Sequence, residues 1–288
     1  MTDVRTAVRE ATAVLAAAGV PSPAVDAAEL AAHLLGVRRG ELALPSVAER
    51  PVPDAYAGLV EQRAARVPLQ HLTGVAWFRH LELHVGPGVF VPRPETEVVA
   101  QVAVDAARVL PSPVVVDLGT GSGAIALSVL DEVPHARVHA VEADPLAHAW
   151  AARNAAGTAL DLRLGDFADA FADLDGTVDV VVSNPPYIPP DAVPVDPEVR
   201  DHDPELALYG GGEDGLAALR VVARTAQRLL VPGGLFVAEH ADTQGESAVA
   251  ALRGAGGWVR VAAHRDLADR PRFVTARRAG AHSEEDSP

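Results

Sequence analysis

Beyond Pro113 the sequence alternates short apolar runs with helical stretches, and this alternation limits the fold more than any other feature. β-rich runs occur at 114–118, 138–141, 162–164, 178–182 and 235–238, and helical stretches at 124–133, 145–156 and 216–230 fall between several of them. Strands this apolar have no polar face to give to water, so they need cover on both sides. The pattern predicts an α/β architecture with a largely parallel sheet and helices on both faces. Two further runs, 258–262 and 272–276, would add an antiparallel edge.

The N-terminal part reads differently. Residues 1–75 are Ala/Leu-rich and helical, with one helix running from Thr2 as N-cap to a stop at Gly19. A second opens at Ser22, with Pro23 in the first helical position, and closes near Gly36. A third spans 54–67 before Pro68. Residues 76–91 carry Leu81, Leu83 and Val85 on one side and a Gly86-Pro87-Gly88 turn before Val89-Phe90-Val91, which predicts a β-hairpin linking two domains. After Pro92-Arg93-Pro94 a helix is expected over 95–110, and the sheet domain then runs over 92–278. The 288 residues suit two domains at about 150 residues each. The Pro-, Gly- and acid-rich stretch 189–215 has the character of a functional lid or a disordered loop, and 279–288 that of a disordered tail.

Missing residue types exclude whole chemistries. The chain has no cysteine, which removes disulfides, thiolate nucleophiles, Cys-ligated zinc and iron–sulfur clusters. All 24 basic residues are arginine, so there is no Walker lysine and no Schiff-base lysine. HExxH and GxSxG are also absent, and no metal site is expected. The formal charge of −15 argues against a surface built on many phosphate contacts, so no direct nucleic-acid binding is expected. No apolar run reaches the roughly 20 residues needed to cross a bilayer. The opening MTDVRTAVREATAV lacks a signal-peptide layout, which makes a cytoplasmic location the default expectation.

Four segments can carry chemistry. Val114 to Gly123 reads as a buried strand entering the glycine loop Gly119-Thr120-Gly121-Ser122-Gly123, where ligand atoms can approach the backbone closely. Glu142, at the end of the next strand, is placed to accept from ribose hydroxyls, and Asp144 before Pro145 suits a helix cap. Gly165-Asp166-Phe167 can serve an adenine amino group and base face, although a strand-end turn with one buried Phe explains it as well. Asn184-Pro185-Pro186-Tyr187 ends a buried strand in a proline-stiffened turn. Such a turn offers the Asn184 amide oxygen and the Pro185 carbonyl as two fixed acceptors, with Tyr187 as a wall. Two acceptors suit an NH₂ group, because both protons are held while the nitrogen lone pair faces an electrophile.

These features resemble the Rossmann-like methyltransferases that use S-adenosylmethionine, and the Asn-Pro-Pro-Tyr run is similar to that of amino-group methylases. Within that superfamily the chain resembles the release factor glutamine methyltransferases, the PrmC/HemK family, over about residues 1–278. Pro68 to Gly74, the Pro92-Arg93-Pro94-Glu95-Thr96-Glu97 run, Pro204 to Leu208 and Gly211 to Leu216 all match. One departure is Glu239-His240-Ala241, where the family usually has Glu-Ile-Gly ahead of the glutamine matched by Gln244.

The resemblance implies a class I methyltransferase domain with a mostly parallel seven-stranded sheet, preceded by a helical substrate-recognition domain. The implied reaction is N5-methylation of the Gly-Gly-Gln glutamine of class I peptide chain release factors by a monomer. Gly119, Thr120, Gly121, Ser122, Gly123, Glu142, Asp166, Phe167 and Asn184 would contact the cofactor. Asn184, Pro185, Pro186 and Tyr187 would hold the substrate, with Asn184, Pro185 and Tyr187 catalytic. With no Lys or Cys for covalent chemistry, direct in-line transfer is expected, and His71 and His240 are the histidines weighed as bases and set aside. The competing readings are an adenine-N6 methyltransferase, a cofactor-binding module without transfer, and the sister methylase of a ribosomal protein glutamine. That sister family has a Ser where Pro94 stands.

Overall fold

A computed structural model describes residues 2–280. Among these, one compact unit comprises residues 2–75, 85–87 and 194–202, and the other residues 76–84, 88–193 and 203–280. The first is built on α1 (Val4–Ala17), α2 (Pro23–Leu35), α3 (Pro45–Ala48), α4 (Tyr56–Ala64) and α5 (Leu69–Thr73). Val4, Ala7, Ala11 and Leu15 recur at helical spacing and give α1 one buried stripe. Its cap is Asp3 rather than Thr2, because the Asp3 carboxylate takes the Thr6 N–H at 2.8 Å. Helix α2 has the expected Pro23 start and ends at Gly36 in the left-handed conformation. The expected 54–67 helix is shorter: α4 stops at Ala64, Arg66 turns to φ 68°, and α5 begins only after Pro68. Tyr56 closes this core by donating its hydroxyl to the Ala27 carbonyl at 2.9 Å.

The chain then forms β1 (Val75–Phe78) and β2 (Leu81–His84), a two-stranded hairpin that turns at Arg79 and His80. A turn does form at Pro87-Gly88, but it is not the turn of the hairpin, because Val89-Phe90-Val91 is not a strand. Arg79 accounts for the difference. At φ 53° it makes the tight turn, and it is fixed there by bonds from its backbone N–H to Glu97 and its guanidinium to Glu132. A 3-10 turn at Pro94–Thr96 leads into α6 (Glu97–Arg108). There follow β3 (Val114–Leu118), α7 (Ala124–Glu132), β4 (Arg137–Glu142), α8 (Pro145–Asn154), β5 (Asp161–Leu164) and β6 (Val178–Ser183). The rest is α9 (Pro197–His202), α10 (Glu205–Leu208), α11 (Ala217–Leu229), β7 (Leu230–Glu239), α12 (Gly245–Ala255), β8 (Trp258–Arg265) and β9 (Pro271–Arg278).

The second unit is α/β, with one seven-stranded sheet in the order β5-β4-β3-β6-β7-β9-β8. All neighbours are parallel except at β9, which runs antiparallel to both β7 and β8, as the sequence predicts for that edge. Side chains alternate between two cores: Val115, Val180, Val182, Leu235 and Val237 face α6 and α7, while Val116, Val181, Phe236 and Ala238 face α11 and α12. The seam between β3 and β6 is where consecutive connections diverge to opposite sides of the sheet. Ligands of open α/β sheets bind at the carboxyl ends of strands at such a point. The predicted 279–288 tail falls almost wholly outside the described residues.

The 189–215 stretch contains α9 and α10, which are too short to show a period in the sequence. Helix α9 belongs to the helical unit through a buried charge cluster. Arg63, with a side chain 4% exposed, donates to Asp26 of α2 at 2.7 Å and to Glu198 of α9 at 2.6 Å. Arg66 adds a second bond to Glu198 at 3.1 Å. One guanidinium thus compensates two carboxylates that water does not reach well, and removing it strands Asp26 and leaves Glu198 with Arg66 as its remaining cation. Arg63→Met is expected to destabilise the helical unit by about 3–5 kcal/mol. Urea unfolding followed by circular dichroism checks this, and Arg63→Met combined with Asp26→Asn and Glu198→Gln should recover part of the loss.

Candidate functional site

Parallel register sets the chemistry-bearing residues in one row along the carboxyl edge of the sheet. Leu118 pairs with Val141, Glu142 with Leu164, Ser183 with Ala238 and Glu239 with Phe273. Gly165-Asp166-Phe167, Glu142, the glycine loop, Asn184, Glu239 and Arg272 therefore leave neighbouring strands at one level. Ser183 ties the two central strands together by donating its hydroxyl to the Leu118 carbonyl at 2.6 Å.

On the β3–β4–β5 side the row forms a cradle. Gly119, Gly121 and Gly123 all have positive φ, and a Cβ on Gly121 would meet nothing within 4 Å. Phe167 lies 3.8 Å from the Cβ position of Gly119 and so walls the space above the loop. Glu142 accepts from the N–H of Gly121 at 2.8 Å and of Asp144 at 2.9 Å, which leaves further lone pairs of its carboxylate for ligand hydroxyls. Asp144 instead caps α8 by accepting from Leu146 at 2.7 Å. Asp166 gives one oxygen to the Ala168 N–H at 2.8 Å and keeps the other. Beneath the loop, burial pushes Asp117 up to about 7, the charge of Glu142 adds to the rise, and bonds from the Thr120 hydroxyl at 2.6 Å and the Ala126 N–H oppose it. Thr120 and Ser122 are buried and shape the loop from below. Open space at Gly121, a carboxylate beside it and an aromatic wall fit a nucleoside-bearing cofactor.

On the β6–β7 side, Asn184 to Tyr187 form a turn held from three directions. The N–H groups of Tyr187 and Ile188 donate to the Leu208 carbonyl at 3.1 and 2.8 Å. The Gln244 amide donates to the carbonyls of Tyr187 and Asp214, both at 2.8 Å, which binds the turn to the 211–216 loop. Among the described residues no donor engages the Pro185 carbonyl or the Asn184 amide oxygen, so both stand ready as acceptors. Pro185 is buried, and Pro186 and Tyr187 are half-buried. Burial pushes the Tyr187 phenol well above its ordinary range, which keeps it neutral.

Sequence reasoning gave no role to Thr96, Glu239 or Gln244, the residues that grip Asn184 and its turn. Thr96 and Gln244 stood in stretches already marked by the resemblance, but nothing in their spacing shows which atoms they meet. The structure supports neither of the two histidines weighed as bases. His71 is part of α5 in the helical unit. His240 is fully buried with Nδ1 on the Ala241 carbonyl at 2.8 Å, and burial lowers its pKa, so it is neutral.

Over nearly its whole length the chain is similar to known proteins. The family described as PrmC N-terminal domain matches residues 6–74, and that described as methyltransferase small domain matches residues 80–196. A Streptomyces coelicolor protein named release factor glutamine methyltransferase is 57% identical over 280 residues, covering 94% of this chain and 97% of its own. One of the same name from Mycolicibacterium smegmatis is 51% identical over 284 residues, covering 96% and 99%. Among solved structures, a methyltransferase from Pyrococcus furiosus shares the fold at TM-score 0.51 and 16% identity, covering 78% of this chain and 98% of its own.

Gly215 has φ +73°, and a Cβ there would lie 2.4 Å from the Tyr187 carbonyl oxygen and 3.0 Å from the Gln244 amide. Gly233 has φ +81° and open space, so it isolates the backbone cost alone. Gly215→Ala is expected to cost about 1–3 kcal/mol more than Gly233→Ala. Equal shifts in the urea midpoint would mean that the turn is not packed as described.

Proposed function

Because the chain belongs to the release factor glutamine methyltransferases, we propose that it methylates the N5 amide nitrogen of the Gly-Gly-Gln glutamine in class I peptide chain release factors. The donor is S-adenosylmethionine, which supplies an electrophilic methyl group on a sulfonium. The single observation that carries this reading is the pair of unengaged acceptors, Asn184 Oδ1 and the Pro185 carbonyl, one strand away from the cradle at Gly119–Gly123.

The residues divide the work. The backbone of Gly119 to Gly123 would lie against the donor, Glu142 would take its ribose hydroxyls, and Asp166 and Phe167 would take its adenine. Asn184 and Pro185 each accept one proton of the substrate NH₂. An amide nitrogen is a poor nucleophile because its lone pair is delocalised into the carbonyl. Holding both protons orients the nitrogen toward the methyl group and draws positive charge off it as the bond forms. Tyr187 forms the wall that limits rotation of the side chain. The chain has no Lys or Cys to form a covalent intermediate, so transfer would be direct: the bond from nitrogen to methyl would form as the methyl–sulfur bond breaks, S-adenosylhomocysteine would leave as the neutral thioether, and the amide proton would then pass to water. In this account the helical unit recognises the release factor outside its Gly-Gly-Gln loop.

The test is transfer of labelled methyl from S-adenosylmethionine to an intact class I release factor, a ribosomal protein pool and duplex DNA in parallel. Label is expected on the Gly-Gly-Gln glutamine, and Asn184→Ala should lower the rate at saturating donor by about 10²–10³. Label on DNA or ribosomal protein alone would overturn the substrate assignment.

A further inference from the structure

An asparagine amide can sit either way round, and only one way lets Asn184 accept a proton from the substrate. Two buried residues decide which. Thr96, 4% exposed, ends the 3-10 turn before α6, and Glu239, 2% exposed, is the last residue of β7. The Thr96 hydroxyl is 2.7 Å from Glu239 Oε2 and 3.3 Å from Asn184 Nδ2. A hydroxyl has one hydrogen to donate, and an ionised carboxylate can only accept. Thr96 therefore gives its hydrogen to Glu239 and has only lone pairs left for Asn184. Asn184 must turn its NH₂ toward Thr96, which directs Oδ1 to the other side. The reversed amide would set NH₂ against the substrate's NH₂, donor against donor.

We propose that Thr96 and Glu239 are positioning residues that lock the Asn184 amide with its oxygen toward the substrate. This rests on the assignment of Asn184 and Pro185 as the holders of the glutamine amide. Neither residue touches the reacting atoms; they act by the direction in which their hydrogen bonds run.

The charge on Glu239 sets that direction. Facing it are Thr96 and Glu95 from the 3-10 turn, Tyr187 from the turn after β6 and Arg272 from β9, itself paired with Asp266 at 3.2 Å. The adjacent His240 is neutral. Burial pushes Glu239 up to about 7, Glu95 adds to the rise, and the Thr96 bond, Arg272 and the Tyr187 hydroxyl oppose it. Once protonated, Glu239 can donate to Thr96, whose own hydrogen then turns to the Asn184 oxygen and favours the reversed amide. The transfer rate should fall as pH drops below about 7. Asp117 is also pushed up to about 7, so the wild-type profile alone does not assign this limb. Glu239→Gln does, because its amide oxygen still accepts from Thr96 but does not titrate.

The experiment measures kcat/KM for methylation of an intact release factor between pH 5.5 and pH 9, an interval spanning about 7, with S-adenosylmethionine affinity by calorimetry. Thr96→Val, matched in shape but lacking the hydroxyl, should lower kcat/KM by about tenfold to a hundredfold at pH 8, with donor affinity unchanged. Thr96→Ser should restore most of the rate, and Glu239→Gln should abolish the acid limb. An unaffected Thr96→Val, a Thr96→Ser as slow as Thr96→Val, or a limb that survives Glu239→Gln would overturn the relay. If Thr96→Val does not fold, Thr96→Ser and the Glu239→Gln profile decide. A wild-type protein that leaves the release factor unlabelled overturns the substrate assignment and the relay with it, whereas an active wild type with indifferent variants overturns only the relay.

Discussion

The hydrogen-bond ladder joining β3, β6 and β7 is the constraint on which the site depends. Strand pairing admits no intermediate positions, because a slip of one residue exchanges the two faces of the sheet and would drive Asp117 or Ser183 into the wrong core. With Val116 opposite Val181 and Val181 opposite Phe236, the three strands end at one level. The cradle, the acceptor pair and the buried carboxylate then emerge side by side. The groups closest to the chemistry owe their positions to backbone bonds made several residues earlier, in a part of the molecule with no chemistry of its own.

Resting on this rigid edge are the less regular segments. The turn at Asn184 to Tyr187 has two prolines and few backbone donors, so it cannot hold itself by a ladder. Its support comes from Leu208, from the Gln244 amide and from the close approach of Gly210 and Gly215, where a side chain would strike the carbonyls of Pro186 and Tyr187. Thr96 and Glu239 then fix what backbone support cannot, the rotation of the Asn184 side chain. Two buried carboxylates with raised pKa values, Asp117 under the cradle and Glu239 under the acceptor pair, flank the same edge. Desolvation at such positions costs stability at neutral pH, a cost that functional sites tolerate in return for directed hydrogen bonds.

How much was legible in the sequence follows from the range of each interaction. The strands and the helices of ten or so residues show in their own periodicity, and the glycine loop and the Asn-Pro-Pro-Tyr turn are contiguous, so their chemistry can be read locally. Helix α12 buries only Gly245, Ala248 and Leu252 and follows the odd Glu239-His240-Ala241 segment, so its period does not stand out in the sequence. Composition favours the hairpin turn at Gly86-Pro87-Gly88, but a positive-φ arginine fixed by Glu97 and Glu132 makes it at Arg79. The bond of Thr96 to Glu239 and that of Arg63 to Glu198 span 143 and 135 residues. No local pattern encodes such pairs. The sequence resemblance and the relatives identify the family, but the contacts that orient Asn184 come only from the fold.

The most direct test of the central claim is a crystal structure of this protein with S-adenosylhomocysteine and a peptide containing Gly-Gly-Gln. The account predicts the glutamine NH₂ between Asn184 Oδ1 and the Pro185 carbonyl, at hydrogen-bond distance from both, with Thr96 still bridging Asn184 and Glu239. A glutamine bound with its carbonyl oxygen toward Asn184, or outside the row of strand ends, would contradict it.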